Sequence, residues 1–322
     1  MRTGTLDYVL KRVTFAIVTI FLVLTFNFLL FRALPGSAVT DLSRVPNASP
    51  ALRQALARQF GLADPKWQQY LVYLGQLFHG NLGISYINQQ PVWSNLRSEI
   101  ANTLPMVGLG TLVAILTGTV SGLFAAWRRR TATDYVLTDS AIAFYSFPTQ
   151  WLGLMLIVIF GKYLPTTGMT DPFSVGGSFW SQAGDELHHM ILPALTIALT
   201  LYGQYTLVVR SAVLETLGED YVLTARAKGV PTRLILRRHV LRNAMLPIVT
   251  LIGLSLGYIV GGALLVETVF TWPGIGLAVY QAVLQRDYPT LEGAFLILTI
   301  SVVLFNLAAD LVYMKLDPRV RG

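Results

Sequence analysis

Few residues of this chain could do chemistry, and their placement argues against catalysis. Gly253-Leu254-Ser255-Leu256-Gly257 matches the Gly-x-Ser-x-Gly pattern of a nucleophilic serine. That pattern works only on a strained strand-to-helix turn with a base in reach. Here it lies in an apolar run in which Gly253, Gly257 and Gly261 recur every fourth residue, and His79, His188, His189 and His239 all fall outside the apolar runs. His188-His189 is a poor metal site, because adjacent side chains on a helix diverge by about 100° and no third ligand is evident. No Gly-x-x-x-x-Gly-Lys-Ser/Thr loop occurs anywhere in the sequence, so the usual cradle for nucleotide phosphates is missing.

The most informative stretch is Glu219-Asp220-Tyr221-Val222-Leu223-Thr224-Ala225-Arg226-Ala227-Lys228-Gly229-Val230-Pro231. Asp220 suits an N-cap, Lys228 falls in the last turn, Gly229 can take the left-handed C′ conformation, and Pro231 stops continuation. The pattern predicts a helix of about two turns, which is marginal in water by itself and needs a partner or the rest of its loop to hold it. Small residues Ala225 and Ala227 would let it seat in a groove, with Arg226 and Lys228 facing acidic groups at the rim. Beyond Pro231, Thr232 to Asn243 reads as an interfacial basic helix, with Arg233, Arg237, Arg238 and Arg242 suited to anionic headgroups.

The elements that must position this stretch are set by composition. The 322 residues are 53% hydrophobic and 13% charged, with no cysteine and a net charge of +7, against about 25% charge in soluble domains. These values exclude a soluble enzyme, a disordered tail, a disulfide-stapled domain and any Cys-ligated metal site. A hydrocarbon core about 30 Å thick needs roughly 20 apolar helical residues. Six runs meet that need: Val13–Phe31, Leu104–Trp127, Ser140–Gly161, Met190–Val209, Ala244–Val266 and Gly293–Ala309, none containing Lys, Arg, Asp or Glu. The first is 19 residues long, more than a usual signal core, and reads as a retained helix.

Orientation follows from the basic residues. The side that would hold both termini carries Arg2, Lys11, Arg12, Arg128 to Arg130, the basic residues from Arg210 to Arg242, Lys315, Arg319 and Arg321. The opposite side holds most of its positive charge in the long segment 32–103, which can be translocated regardless of charge. Both termini are therefore expected in the cytoplasm, and the positive charge is explained by the membrane rather than by nucleic acid. In 32–103, Leu52 to Phe60 and Trp67 to Phe78 have helical periodicity and suit a small outer cap. The glycines at 253, 257 and 261, with Gly118 and Gly122 in the second run, make small-residue seams for close helix packing or a dimer contact.

Further motifs resemble the membrane-spanning subunits of bacterial ATP-binding-cassette importers for peptides, of the dipeptide and oligopeptide permease B type. Leu34-Pro35-Gly36 resembles the family's LPGDP signature, with Ser37-Ala38 in place of its last two residues. Phe60-Gly61-Leu62, Asp64-Pro65, Gln69-Tyr70 and Gly80-Asn81-Leu82-Gly83-Ile84-Ser85 resemble its outer segment. Leu192-Pro193-Ala194-Leu195-Thr196, Arg210, Leu214-Glu215, Asp220 to Gly229, Glu267-Thr268-Val269-Phe270, Trp272-Pro273-Gly274-Ile275-Gly276 and Arg286-Asp287-Tyr288-Pro289 continue the match.

The resemblance implies an all-α membrane protein with six transmembrane helices of the type I importer permease fold. Its parts would be 1–31 (cytoplasmic N-terminus and first span), 32–103 (extracytoplasmic cap), 104–314 (five-helix core with a coupling helix at about 220–229) and 315–322 (tail). It also implies a bacterial inner-membrane location, no cofactor in this chain, and ATP and magnesium bound by two separate ATPase subunits. A second permease and an extracytoplasmic peptide-binding protein would complete the complex. Glu219, Asp220, Tyr221, Ala225, Arg226, Lys228 and Gly229 are then the residues for docking an ATPase subunit. In the superfamily's EAA-x-x-x-Gly motif, aligned on Gly229, Leu223 and Thr224 stand where Glu and the first Ala would be.

Polar residues within or beside the apolar runs are candidates for the translocation path or for interhelical hydrogen bonds: Asn27, Tyr145, Ser146 and Gln150 around Pro148, Gln204, Tyr205, Tyr258 and Asn306. In the outer connection from Phe270 to Tyr288, a tight turn is expected at Pro273 to Gly276. Trp272, Arg286 and Asp287 there serve either interfacial anchoring or docking of the binding protein. Closely related permeases handle glutathione or nickel complexes, and an ATP-independent channel or carrier is the alternative of a different class.

Overall fold

The computed structural model describes residues 2–33, 65–171, 178–235 and 263–316, with positions 240, 241, 244, 248, 251 and 252. The Leu-Pro-Gly motif at 34–36, the Leu52–Phe60 periodicity, the glycine seam at 253, 257 and 261, Tyr258 and most of the basic run up to Arg242 lie outside the described residues. The described chain is helical, in the order α1 (Arg2–Ala33), α2 (Lys66–Phe78), α3 (Val92–Trp127), α4 (Ala132–Ser146), α5 (Thr149–Phe160), α6 (Phe179–Leu217), α7 (Asp220–Ala227), α8 (Thr232–Ile235), α9 (Leu264–Phe270), α10 (Ile275–Gln285) and α11 (Tyr288–Leu316).

Four of these helices are long and apolar enough to cross a membrane: α1, α3, α6 and α11. They contain the first, second, fourth and sixth predicted spans. A helix leaves no backbone polar group unpaired in lipid, which is why these runs take this form. α6 is 39 residues long, about 58 Å at 1.5 Å per residue, nearly twice the hydrocarbon thickness, so its ends project beyond the bilayer. The fifth predicted span falls mostly outside the described residues.

The third predicted span is not one straight helix. The apolar pattern over Ser140–Gly161 divides into α4 and α5, which meet at 106°. Pro148 causes the break, since it has no N–H to donate to the preceding turn and its ring clashes with the carbonyl four residues back. The residue before proline is driven to extended geometry, and Phe147 accordingly has φ −73° and ψ 132°. Apolar periodicity does not register this, because side chains on both arms remain apolar. The outer connection also differs from the expected turn: after Gly274 the chain forms the 11-residue helix α10.

Packing centres on α3 against α6. Gly110, Ala114, Gly118 and Gly122 repeat every four residues on α3 and are all buried. A Cβ on Gly118 would lie 2.6 Å from the Tyr205 Cβ, and one on Gly122 would lie 2.6 Å from the Thr206 carbonyl oxygen. The seam of Gly118 and Gly122 is therefore an interface within the chain, where missing side chains let two backbones approach. α4 crosses α6 as closely at Gly203, whose Cβ would strike the Ala141 carbonyl oxygen.

The remaining long pair is α1 on α11. Asn27, buried, donates its amide to the Glu292 carbonyl at 3.1 Å. Phe31 packs on Tyr288 and Phe295, with ring centroids 6.0 and 6.1 Å apart. α2 leans on α1 through Tyr70, whose hydroxyl lies 2.6 Å from Thr25 Oγ1 and whose ring meets Phe28 edge-on.

Gly122→Ala should destabilise the protein by about 1–3 kcal/mol through overpacking. Gly108→Ala, where a Cβ meets nothing within 4 Å, should be neutral or slightly stabilising because alanine is the better helix former. Thermal unfolding of the two purified variants in one detergent, followed by fluorescence-detected size exclusion, checks the opposite signs.

Candidate functional site

Three groups of candidate residues occupy three places. The first is α7, the short helix at the end rich in arginine. Its C-terminus closes by two hydrogen bonds: Gly229 N–H donates to the Arg226 carbonyl at 2.9 Å and Val230 N–H to the Ala225 carbonyl at 3.1 Å. This is a Schellman motif, and it requires a left-handed residue at Gly229, where φ is +74°. At the other end the cap position falls on Glu219, not Asp220, and no side chain caps it. Asp220 is the first helical residue instead, where its carboxylate still complements the positive end of the helix dipole.

The chain's own segments hold α7. Val222 is fully buried and Ala225 is 9% exposed, both packed in a cluster with Ala126 of α3, Val209, Ala212 and Val213 of α6, Ile235 of α8, and Ile248. Ala225 thus faces inward and cannot line a contact with another subunit. The outward face consists of Tyr221 (40% exposed), Leu223 (49% exposed), Thr224, Arg226, Ala227 and Lys228, flanked by Glu219, Asp220 and Gly229. Leu223 and Thr224 were not among the candidates. The inward spacing of Val222 and Ala225, three apart on a helix, was the signal that places them outward.

The second group lies at the corner between α4 and α5. Tyr145 is 59% exposed, and Ser146 and Gln150 are also exposed. Ser146 Oγ donates to the Ile142 carbonyl at 2.8 Å. The corner brings the C-terminal carbonyls of one half-helix and the N-terminal N–H groups of the other to one point. In lipid such irregular backbone is tolerated only where it is buried in protein or lines a watery cavity. Gln204 on α6 and Asn306 on α11 are half-buried, whereas Tyr205 is fully buried against Ala114 and Leu251. Asn27 is committed to Glu292, as described above, so neither Tyr205 nor Asn27 faces an open path in this conformation.

The third group lies at the opposite end, around Glu267, the buried carboxylate of the Glu-Thr-Val-Phe motif. Glu267 has no exposed surface. Its Oε1 accepts the Thr103 hydroxyl at 2.7 Å and its Oε2 accepts Leu277 N–H at 2.9 Å, while its carbonyl accepts Trp272 N–H at 2.9 Å. Leu277 lies in the first turn of α10, whose cap position is Gly274. The Glu267 side chain therefore supplies the N-terminal acceptor that glycine lacks. A Cβ on Gly274 would collide with Glu267 Oε1 and Thr103 Oγ1, and one on Gly276 would lie 2.5 Å from the Leu264 Cα. Gly274 thus leaves the space the carboxylate needs, and Gly276 lets the Leu264 backbone approach.

Trp272 is fully buried, neither at a membrane interface nor on a docking surface. Its Nε1–H donates to the Asn102 carbonyl at 3.0 Å, and the Asn102 amide donates to the Pro273 carbonyl at 2.8 Å. Asp287 is 2% exposed and directly precedes α11, accepting from Ser85 Oγ, from Tyr86 N–H at 3.0 Å and from Thr290 Oγ1 at 2.8 Å. Of the three outer candidates only Arg286 is exposed. Among the described residues no group of three or more His, Cys, Asp or Glu side chains could hold a metal ion.

Comparison with known proteins agrees with this arrangement. Residues 118–322 match the family described as binding-protein-dependent transport system inner membrane component, and residues 5–107 match the N-terminal region of such membrane components. The chain is 34% identical to the dipeptide transport system permease protein of Escherichia coli strain K12, over 98% of this chain and 99% of that one. It is also 34% identical to the glutathione transport system permease protein of Escherichia coli O6:H1, again over 98% and 99%. The solved MetNI methionine transporter in an inward-facing conformation shares the fold, with a TM-score of 0.56 at 17% identity over 69% of this chain and 96% of that one.

Trp272→Ala should cost about 3–5 kcal/mol by opening a cavity in the outer core. Arg286→Ala should leave stability unchanged. Thermal midpoints of the two purified variants check this, and an undisturbed Trp272→Ala protein would mean that the indole does not anchor the 270–275 segment.

Proposed function

The chain belongs to the family of binding-protein-dependent transport system inner membrane components, and from that premise we propose that it is the permease subunit of an ATP-driven peptide importer. It forms half of the translocation pathway, and its termini lie in the cytoplasm. A second permease of similar fold forms the other half, two separate subunits bind ATP and magnesium, and an extracytoplasmic binding protein delivers the peptide.

The observation that carries this reading is α7: an eight-residue helix with one face seated on its own chain and the other exposed at the basic end. A helix that short is not stable alone, and its outward Tyr221, Leu223, Arg226 and Lys228 combine apolar and basic groups suited to a groove with an acidic rim. Closure of the ATPase pair on ATP would push on this face. Hydrolysis would release it, and the permease pair would alternate between inward-facing and outward-facing arrangements. The exposed corner at Tyr145, Ser146 and Gln150 would line the path, where backbone and side-chain polar groups replace solvent for a peptide backbone. No Lys, Arg, Asp or Glu lies in the apolar runs, so selectivity among peptides falls mainly to the binding protein.

Glutathione, itself a small peptide, is the second reading for cargo, favoured by the equal identity to the glutathione permease. The test is to isolate the tagged chain from its host in mild detergent, identify its companions by mass spectrometry and assay ATP hydrolysis. Walker-motif subunits, a second permease and ATPase activity raised by a peptide-loaded binding protein are expected, and the loaded cargo separates the two readings. Isolation of the chain alone would move it to the ATP-independent channels or carriers. Tyr221→Ala combined with Arg226→Glu should remove the ATPase subunits while leaving the chain folded. Ala225→Leu, by contrast, should unseat α7 from its own chain and lower the thermal midpoint.

A further inference from the structure

We propose that Asp134 and Arg210 form a clasp that makes α4, and the corner in which it ends, move as one body with α6 and α7; this rests on the importer reading above. Arg210 sits among the turns of α6 that seat α7, beside Val209, Ala212 and Val213. Its Nε lies 2.7 Å from Asp134 Oδ1 and its Nη2 lies 3.0 Å from Oδ2, a fork-on-fork contact. Such bidentate pairing fixes direction as well as distance. Asp134 is 2% exposed, and it also accepts Arg130 N–H at 2.9 Å and the Thr138 hydroxyl at 3.2 Å. The carboxylate therefore ties together the turn after α3, the first turns of α4 and the end of α6.

A second attachment lies two turns further along α4, where Ala141 meets Gly203 backbone to backbone. Two attachments about 10 Å apart fix the orientation of α4 on α6, whereas one alone would let it pivot. The corner at Ser146–Thr149 follows just beyond the second. A displacement of α7 passes to α6 through Val222 and Ala225, and from α6 to the corner only if α4 cannot swing. Stability alone does not account for the pair, because Arg210 is partly exposed and ion pairs open to solvent contribute little to folding. Its place between the α7 seat and the path accounts for it.

The test uses the assembled transporter in lipid vesicles, with both permeases, the ATPase subunits and a peptide-loaded binding protein. Peptide moved per ATP hydrolysed is the readout, since a merely structural defect lowers both rates together. Asp134→Asn should keep the subunits assembled and basal ATPase near the parent value, while the transport ratio falls about tenfold. Asp134→Glu, which keeps an acceptor carboxylate for Arg210, should lose less of the ratio than Asp134→Asn. Should Asp134→Asn fail to assemble, Arg210→Lys, which keeps the charge and removes the fork, gives the same measurement. An unchanged ratio, or transport and ATPase falling in proportion, would overturn the clasp. Absence of peptide-stimulated ATPase in the parent complex would instead overturn the importer reading.

Discussion

A backbone N–H or carbonyl in the bilayer core has no water to bond, and this constraint shapes most of the structure. It turns the apolar runs into helices, since a helix pairs these groups within one segment. It also makes the one observed break informative. At Phe147-Pro148 the pairing stops between two half-helices, and the groups released there need either protein or water. Tyr145, Ser146 and Gln150 at that corner are exposed, so the chain's own packing does not cover it. Asn27 and Tyr205, equally polar by type, are consumed by packing.

Three irregular connections outside the long helices are each held by a buried carboxylate. Glu267 supplies the acceptor for the start of α10, Asp287 holds the turn at Ser85 and Tyr86 against the Thr290 hydroxyl of α11, and Asp134 joins a turn to two helices. The three share a logic. Unpaired N–H groups at a helix start or turn attract an anion, and an anion buried among such donors is compensated where an unpaired one would be very costly. Each therefore binds its segment to one geometry. The glycines around Glu267 follow from this, as any Cβ at Gly274 would occupy the carboxylate's place.

The same economy explains α7. Its length gives it too few internal hydrogen bonds to persist alone, so two residues, Val222 and Ala225, seat it on the ends of the long helices. The Gly229 turn closes it, and the rest of its surface is exposed.

The sequence by itself determined the membrane class, the span-length apolar runs and the existence of α7 with its Gly229 stop. These depend on apolar length, composition and local backbone preference, all of which are one-dimensional. It could not separate exposed polar residues from those consumed by packing, because polarity and spacing are the same in both cases. Trp272 and Asp287 illustrate this: an aromatic and an acid in an outer connection suit an exposed surface, yet both are buried. Their burial depends on Asn102 and Ser85, roughly 170 and 200 residues away in sequence. The tertiary structure alone decided the intramolecular use of the Gly118 and Gly122 seam and the pairing of Asp134 with Arg210. In each, what matters is which distant segment arrives opposite, and only the packing of whole helices sets that.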